Sequence, residues 1–117
     1  MSVGKPLVQI GLLGEAIEGA PFAVLVADEN GRYVAMNSEA CTLFGYPREE
    51  FVGLSVTDVV AGADVAGHYQ RFVRARSEEG TVDARRKDGT TFRFSFRAGE
   101  TTIVGLRYYV SVGWPAE

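Results

Sequence analysis

FAVLVADENGRYVAMNSEACTLFGY, residues 22–46, reads as strand, tight turn, strand and helix. FAVLVA is a continuous apolar run bounded by polar residues, which suits a strand packed hard on at least one face. Asp28-Glu29-Asn30-Gly31 closes it, and Asn-Gly is the strongest short hairpin signal because both residues tolerate positive φ. RYVAM returns as the partner strand. Asn37-Ser38 then offers a helix N-cap before EACTLFGY, where Ala40, Leu43 and Phe44 share one face at helical spacing. The unit is either one wall of a small pocket or part of an ordinary α+β core.

Outward from this stretch, composition sets the bounds. A chain of 117 residues with 46% hydrophobic and 23% charged residues makes one soluble globular domain with a single core. No apolar run reaches the roughly 20 residues of a membrane span. The start, MSVGKPLVQIGLLG, lacks the pattern of a signal peptide. These features point to the cytoplasm, although a fragment of a membrane-anchored protein would read the same way. A net charge of −3 argues against direct nucleic-acid binding by the chain as a whole. The single cysteine, Cys41, excludes an internal disulfide and any multi-cysteine metal site.

Before the hairpin, Leu7, Ile10, Leu13 and Ile17 recur at helical spacing, and Gly19 and Pro21 stop the pattern. Residues 1–20 are therefore expected to be an apolar N-terminal helix that covers this domain's sheet or a second copy, with residues 21–117 as the domain proper. After Tyr46, PREEF is a short helical turn with Pro at its start and acids in its first turn. TDVVA is another short helical piece, capped by Ser55 or Thr57. Residues 64–76, DVAGHYQRFVRAR, form the best helix of the middle, with Val65, Tyr69, Phe72 and Val73 on its apolar face.

The last third is β in character. TVDARRK leads to a Lys87-Asp88-Gly89 turn, and TTFRFSFR places Phe92, Phe94 and Phe96 on one face and Arg93, Ser95 and Arg97 on the other. Gly99-Glu100-Thr101-Thr102 is read as a turn. IVGLRYYVSVGW is the final strand, with Leu106, Tyr108, Val110 and Val112 alternating with Arg107, Tyr109 and Ser111. Three stacked phenylalanines need a cover, and the helices between residues 38 and 76 are the only one available. The economical arrangement is α+β: one antiparallel sheet of five strands with short helices over one face and an N-terminal helix.

The order of these elements, with DENGRYVAMNSEACTLFGYPREEFVG and RRKDGTTFRFSF, resembles a PAS domain, the sensing and dimerising module of signalling proteins. The matching residues are Asp28, Gly31 and Asn37, then Gly45, Tyr46, Glu49 and Glu50, then Lys87, Asp88 and Gly89. The resemblance runs from about residue 15 to 112. It implies a five-stranded sheet with a helical clasp and a sensory, non-catalytic role. One departure stands out: such domains usually end their last strand in Asp-Ile-Thr, where this chain has Gly113-Trp114-Pro115. Pro115 disfavours direct helical continuation from the residue before it.

Candidate sites follow from both readings. The only histidine, His68, lies on the helix that carries the axial ligand in haem-binding members of the resembled family, but alignment puts Val65 at the ligand position. Haem is therefore not expected. Nor is flavin: the light-sensing relatives keep a reactive cysteine where this chain has Leu54-Ser55-Val56-Thr57. Cys41 reads as a small buried thiol, and Asn37 as a structural cap. Phe92, Phe94, Phe96, Tyr69, Phe72, Tyr108 and Val110 either fill a close-packed core, which interior packing favours, or line an apolar pocket. In the second case Tyr69, Phe72, Phe94, Tyr108 and Val110 are the ligand-binding residues, with a tyrosine supplying one directional hydroxyl. No catalytic constellation and no metal site stand out.

The expected function is a non-enzymatic input domain of a sensor histidine kinase, a cyclic-dinucleotide enzyme or a transcription regulator. It would bind a small ligand or partner, join an effector domain, and dimerise along Leu7, Ile10, Leu13 and Ile17. The alternatives are a ligand-free protein-interaction module and, less favoured, a small α+β cone enzyme, for which only His68, Asp83 and Asp58 are candidates.

Overall fold

The structure, a computed structural model, describes residues 15–61 and 77–116, the side chains of residues 77 and 78 excepted. Its strands are β1 (Ala23–Asp28), β2 (Tyr33–Met36), β3 (Val60–Ala61), β4 (Ser77–Arg85), β5 (Thr91–Ile103) and β6 (Leu106–Pro115). Three short helices separate β2 from β3: α1 (Ser38–Phe44), α2 (Arg48–Phe51) and α3 (Val56–Val59). The α+β architecture is the one the sequence predicts. The sheet has six strands rather than five, in the order β2-β1-β6-β5-β4-β3 with every pairing antiparallel. The extra strand is Val60–Ala61, which pairs Val60 with Ala84 and Ala61 with Asp83. TDVVA is thus helix for its first part and edge strand for its last, and two residues are too few to carry a period-two signal.

Both hairpin turns with Asp-x-x-Gly or Asp-Gly chemistry form, each as a three-residue loop. At the first, Gly31 N–H donates to the Asp28 carbonyl (3.0 Å) and Asp28 N–H to the Arg32 carbonyl (2.8 Å). The Asp28 carboxylate accepts from the N–H groups of Asn30 and Arg32. Only Gly31, at φ 79°, takes the left-handed conformation, so a single glycine suffices where the Asn-Gly reading had both residues left-handed. The second turn repeats the pattern, with Gly89 N–H on the Arg86 carbonyl and Arg86 N–H on the Thr90 carbonyl.

The third hairpin differs from its sequence reading. Gly99–Thr102 is not a turn but part of β5. The chain reverses at Val104-Gly105, where Ile103 pairs with Leu106. Val104 sits at φ 52°, a conformation that a β-branched residue rarely adopts.

The helices lie over one face of the sheet. Asn37 caps α1 with its side chain accepting from Ala40 N–H, and Gly45 ends the helix in the left-handed conformation. Ser55 and Asp58 form a reciprocal capping box on α3. Phe44 and Phe51 are buried beneath these helices and meet edge to face at 5.6 Å between ring centroids. Phe44 also meets Phe92 at 5.4 Å and Phe94 at 5.3 Å, which docks α1 onto β5. The β4–β5 turn reaches over to hold the end of α1: Lys87 N–H donates to the Phe44 carbonyl, Arg86 Nε to the Leu43 carbonyl, and Lys87 Nζ pairs with Glu50 at 2.8 Å.

Candidate functional site

The inner face of the sheet and the short helices do not close completely. A cavity of about 100 Å³ lies between them. Its floor is the sheet: Leu25 and Ala27 of β1, Val82 and Ala84 of β4, and Phe94, Phe96 and Ala98 of β5, with Tyr109 and Ser111 of β6. Phe44, Val56, Val59 and Val60 border it from the helical side, and Tyr33 from β2.

Register explains why these side chains meet. Ala98 is opposite Ser111 and Glu100 is opposite Tyr109, so even positions of β5 share a face with odd positions of β6. Leu25 opposite Ser111 and Ala27 opposite Tyr109 extend that face into β1. Phe94 therefore lines the cavity, buried at 6% exposure. Tyr108 and Val110 do not: they stand on the outer face, where Val110 is opposite Val26. Their expected places are taken by Tyr109 and Ser111. The alternation in β6 misleads because its more apolar row, Tyr108, Val110 and Val112, lies on the outer face beside Val24 and Val26, and the cavity takes the row with Tyr109 and Ser111. Tyr69 and Phe72, with His68 and the helix they were placed on, lie outside the described residues, as do Leu7, Ile10 and Leu13. Ile17 is described and is 44% exposed.

Tyr33 was not among the expected site residues. A bulge between Val26 and Ala27 sets Tyr33 opposite Ala27, on the cavity side of the sheet. Its ring is held edge-on by Phe51 at 5.4 Å between centroids. Burial, and after it the nearby Asp58 carboxylate, push its hydroxyl above the usual phenol range, so it stays protonated. The signal that could have found it is the aromatic residue two positions after the glycine of the Asp-x-x-Gly turn.

Asn37 does more than cap a helix. Its Oδ1 accepts from Val24 N–H and Ala40 N–H, both at 3.0 Å. Its Nδ2 donates to the carbonyls of Ile17 (2.8 Å) and Phe22 (3.0 Å). The residue is 1% exposed and ties the segment before β1, β1 itself and α1 into one junction. Beside it, the Glu18 carboxylate accepts from the Ser38 hydroxyl and amide and from Arg48 at 3.2 Å. The Ser38 hydroxyl, ahead of Arg48, holds this carboxyl below its usual range.

Nothing else described gathers chemistry. Asp58 serves the α3 cap, and Asp83 pairs on the outer face with Arg93 at 2.9 Å. Among the described residues no three His, Cys, Asp or Glu side chains cluster to hold a metal ion, and no helix is long and apolar enough to cross a membrane. Cys41 is half-buried and does not line the cavity.

Comparison with known proteins agrees with this geometry. The family model for the PAS fold matches residues 12–110. An uncharacterised protein of Azorhizobium caulinodans is 33% identical over 113 residues, covering 85% of this chain and 15% of that protein. The chain thus spans about 15% of the length of the curated relative it matches. The crystal structure of a PAS domain from a two-component sensor histidine kinase superposes with a TM-score of 0.86 at 15% identity, covering 96% of this chain and all of that one. The LOV domain of a blue-light activated histidine kinase from Erythrobacter litoralis superposes with a TM-score of 0.70 at 21% identity, covering 82% of this chain and 96% of that one.

Proposed function

Because the chain belongs to the PAS fold family, we propose that this sensory domain binds a small molecule in the cavity under its helices and passes the event to an effector in a longer signalling protein. The observation that carries this reading is the cavity itself: about 100 Å³ with walls of Leu, Val, Phe and Ala side chains, which a close-packed core would have filled. The small share of the relative's length that this chain covers favours a parent with further domains. A sensor histidine kinase is the preferred parent, with a cyclic-dinucleotide enzyme or a transcription regulator as the other kinds, and the cytoplasm as the compartment.

Neither haem nor flavin belongs to the proposal. A cavity smaller than one known to take up benzene, about 150 Å³, has no room for a fused three-ring or tetrapyrrole system. Among the described lining residues no cysteine, histidine or methionine supplies a covalent or axial bond.

The dimer belongs to the same proposal. Residues 1–20 are the dimerisation segment, with Leu7, Ile10, Leu13 and Ile17 as its seam. The outer face of β1 and β6 offers a continuation without charge: Val26, Val110 and Val112, ending in Trp114, which is 48% exposed.

Two measurements test the reading. Native mass spectrometry of freshly purified protein, with an absorption spectrum, is expected to show a small added mass on part of the population and no visible band. A Soret or flavin band overturns the cofactor assignment. Light scattering of the double variant Leu13→Glu, Ile17→Glu is expected to give a monomer where the parent chain gives a dimer. Unchanged mass in solution removes the seam.

A further inference from the structure

We infer that the cavity selects against anions and takes a molecule of about one small ring, carrying a hydrogen-bond acceptor that the Tyr33 hydroxyl engages; this rests on the reading of the cavity as a ligand site. Three observations define the class. The first is size. About 100 Å³ of space, set against the roughly 150 Å³ that accommodates benzene, limits the occupant to about six heavy atoms.

The second is charge. Among the described lining residues the polar groups are the hydroxyls of Tyr33, Tyr109 and Ser111, and none is charged at neutral pH. An anionic ligand would lose its hydration, meet no cation among the described lining residues and face the nearby Asp58 carboxylate, a penalty of several kcal/mol per ion. Carboxylates are disfavoured on that ground.

The third is direction. Tyr33 is 7% exposed, and among the described residues its hydroxyl has no hydrogen-bond partner. Every fully enclosed side-chain oxygen or nitrogen among them is paired, so this oxygen still borders open space. A phenol so placed has a proton to donate, and its ring has little freedom to turn away because Phe51 packs against it. A carbonyl or ether oxygen on the ligand satisfies the donor, and a purely hydrocarbon ligand leaves it unmet.

The test titrates the purified chain and its Tyr33→Phe variant with cyclopentanone, benzene and cyclopropanecarboxylate, following amide shifts of the lining residues by NMR. Cyclopentanone and benzene are expected to bind the parent chain, and the carboxylate to leave the spectrum unchanged. Tyr33→Phe is expected to weaken cyclopentanone about five-fold, the worth of one hydrogen bond, and to leave benzene affinity unchanged, which also reports an intact cavity in the variant. Equal cyclopentanone affinity in parent and variant, or carboxylate binding at the lining residues, overturns the ligand class while benzene binding preserves the cavity reading. If none of the three probes shifts a lining residue, the cavity reading fails and the ligand class with it.

Discussion

Four hydrogen bonds converge on the Asn37 amide, and each of its two polar atoms serves two partners. An aspartate in its place keeps the acceptor but turns a negative oxygen toward the carbonyls of Ile17 and Phe22. An alanine strands two buried N–H groups and two carbonyls. Asn37→Ala is expected to cost about 3 kcal/mol and Asn37→Asp at least as much, since leaving buried groups unmet is dearer than a simple cap loss of about 1 kcal/mol. Urea denaturation checks both, and a loss of only the cap value would reduce Asn37 to a cap. Gly113 is constrained for a different reason. A Cβ built there collides with the Phe94 ring and the Ser95 carbonyl, so the strand can cross Phe94 only without a side chain. Gly113→Ala is expected to destabilise by about 2 kcal/mol through overpacking and to disturb the Phe94 end of the cavity, read by thermal melting and by the Phe94 ring resonances.

At the scale of elements, the turns separate what was legible in the sequence from what was not. DENG and KDG announce their hairpins because an Asp side chain holds the loop's N–H groups and a glycine supplies the positive φ. Val104-Gly105 announces nothing, since valine is the wrong residue for the left-handed position it occupies at 95% exposure. The sequence reading therefore placed a turn at Gly99, inside β5. The phenylalanine face of β5 was legible because its other face is charged, with Arg93 and Arg97 paired to Asp83 and Glu79 directly across β4. β6 carries its more apolar row outward, so Tyr109 and Ser111 stay hidden behind Tyr108 and Val110. Tyr33 stayed hidden because a bulge, not alternation, turns it inward. The strain at the β5–β6 tip gives its own prediction. Val104→Asn, which creates the Asn-Gly pair that such two-residue loops favour, is expected to raise stability by about 1 kcal/mol. A chemical melt checks it, and an unchanged midpoint would mean that the left-handed valine costs nothing here.

At the scale of the molecule, β6 joins two halves that the chain makes at different times. β1, β2 and the short helices come from the N-terminal half, and β4 and β5 from the C-terminal half; β6 lies between β1 and β5 in the sheet. It pairs six of its residues with β1 and ten with β5. The same strand supplies Tyr109 and Ser111 to the cavity and carries Trp114 and Pro115 at the chain's far end. One continuous strand thus runs from the cavity to Pro115. Pro115 is still paired, opposite Phe94, and Ala116 N–H still donates to the Arg93 carbonyl, so the strand remains anchored to β5 up to its end. A chain cut after Gly105 loses the strand that connects both halves and leaves two long edges unpaired, an arrangement that favours aggregation over folding. Such a truncation is expected to show no cooperative thermal transition by circular dichroism, and a synthetic peptide of residues 106–117 added in trans is expected to restore one. A cooperative melt of the truncated chain alone, near the parent's midpoint, would show that the halves hold together without β6.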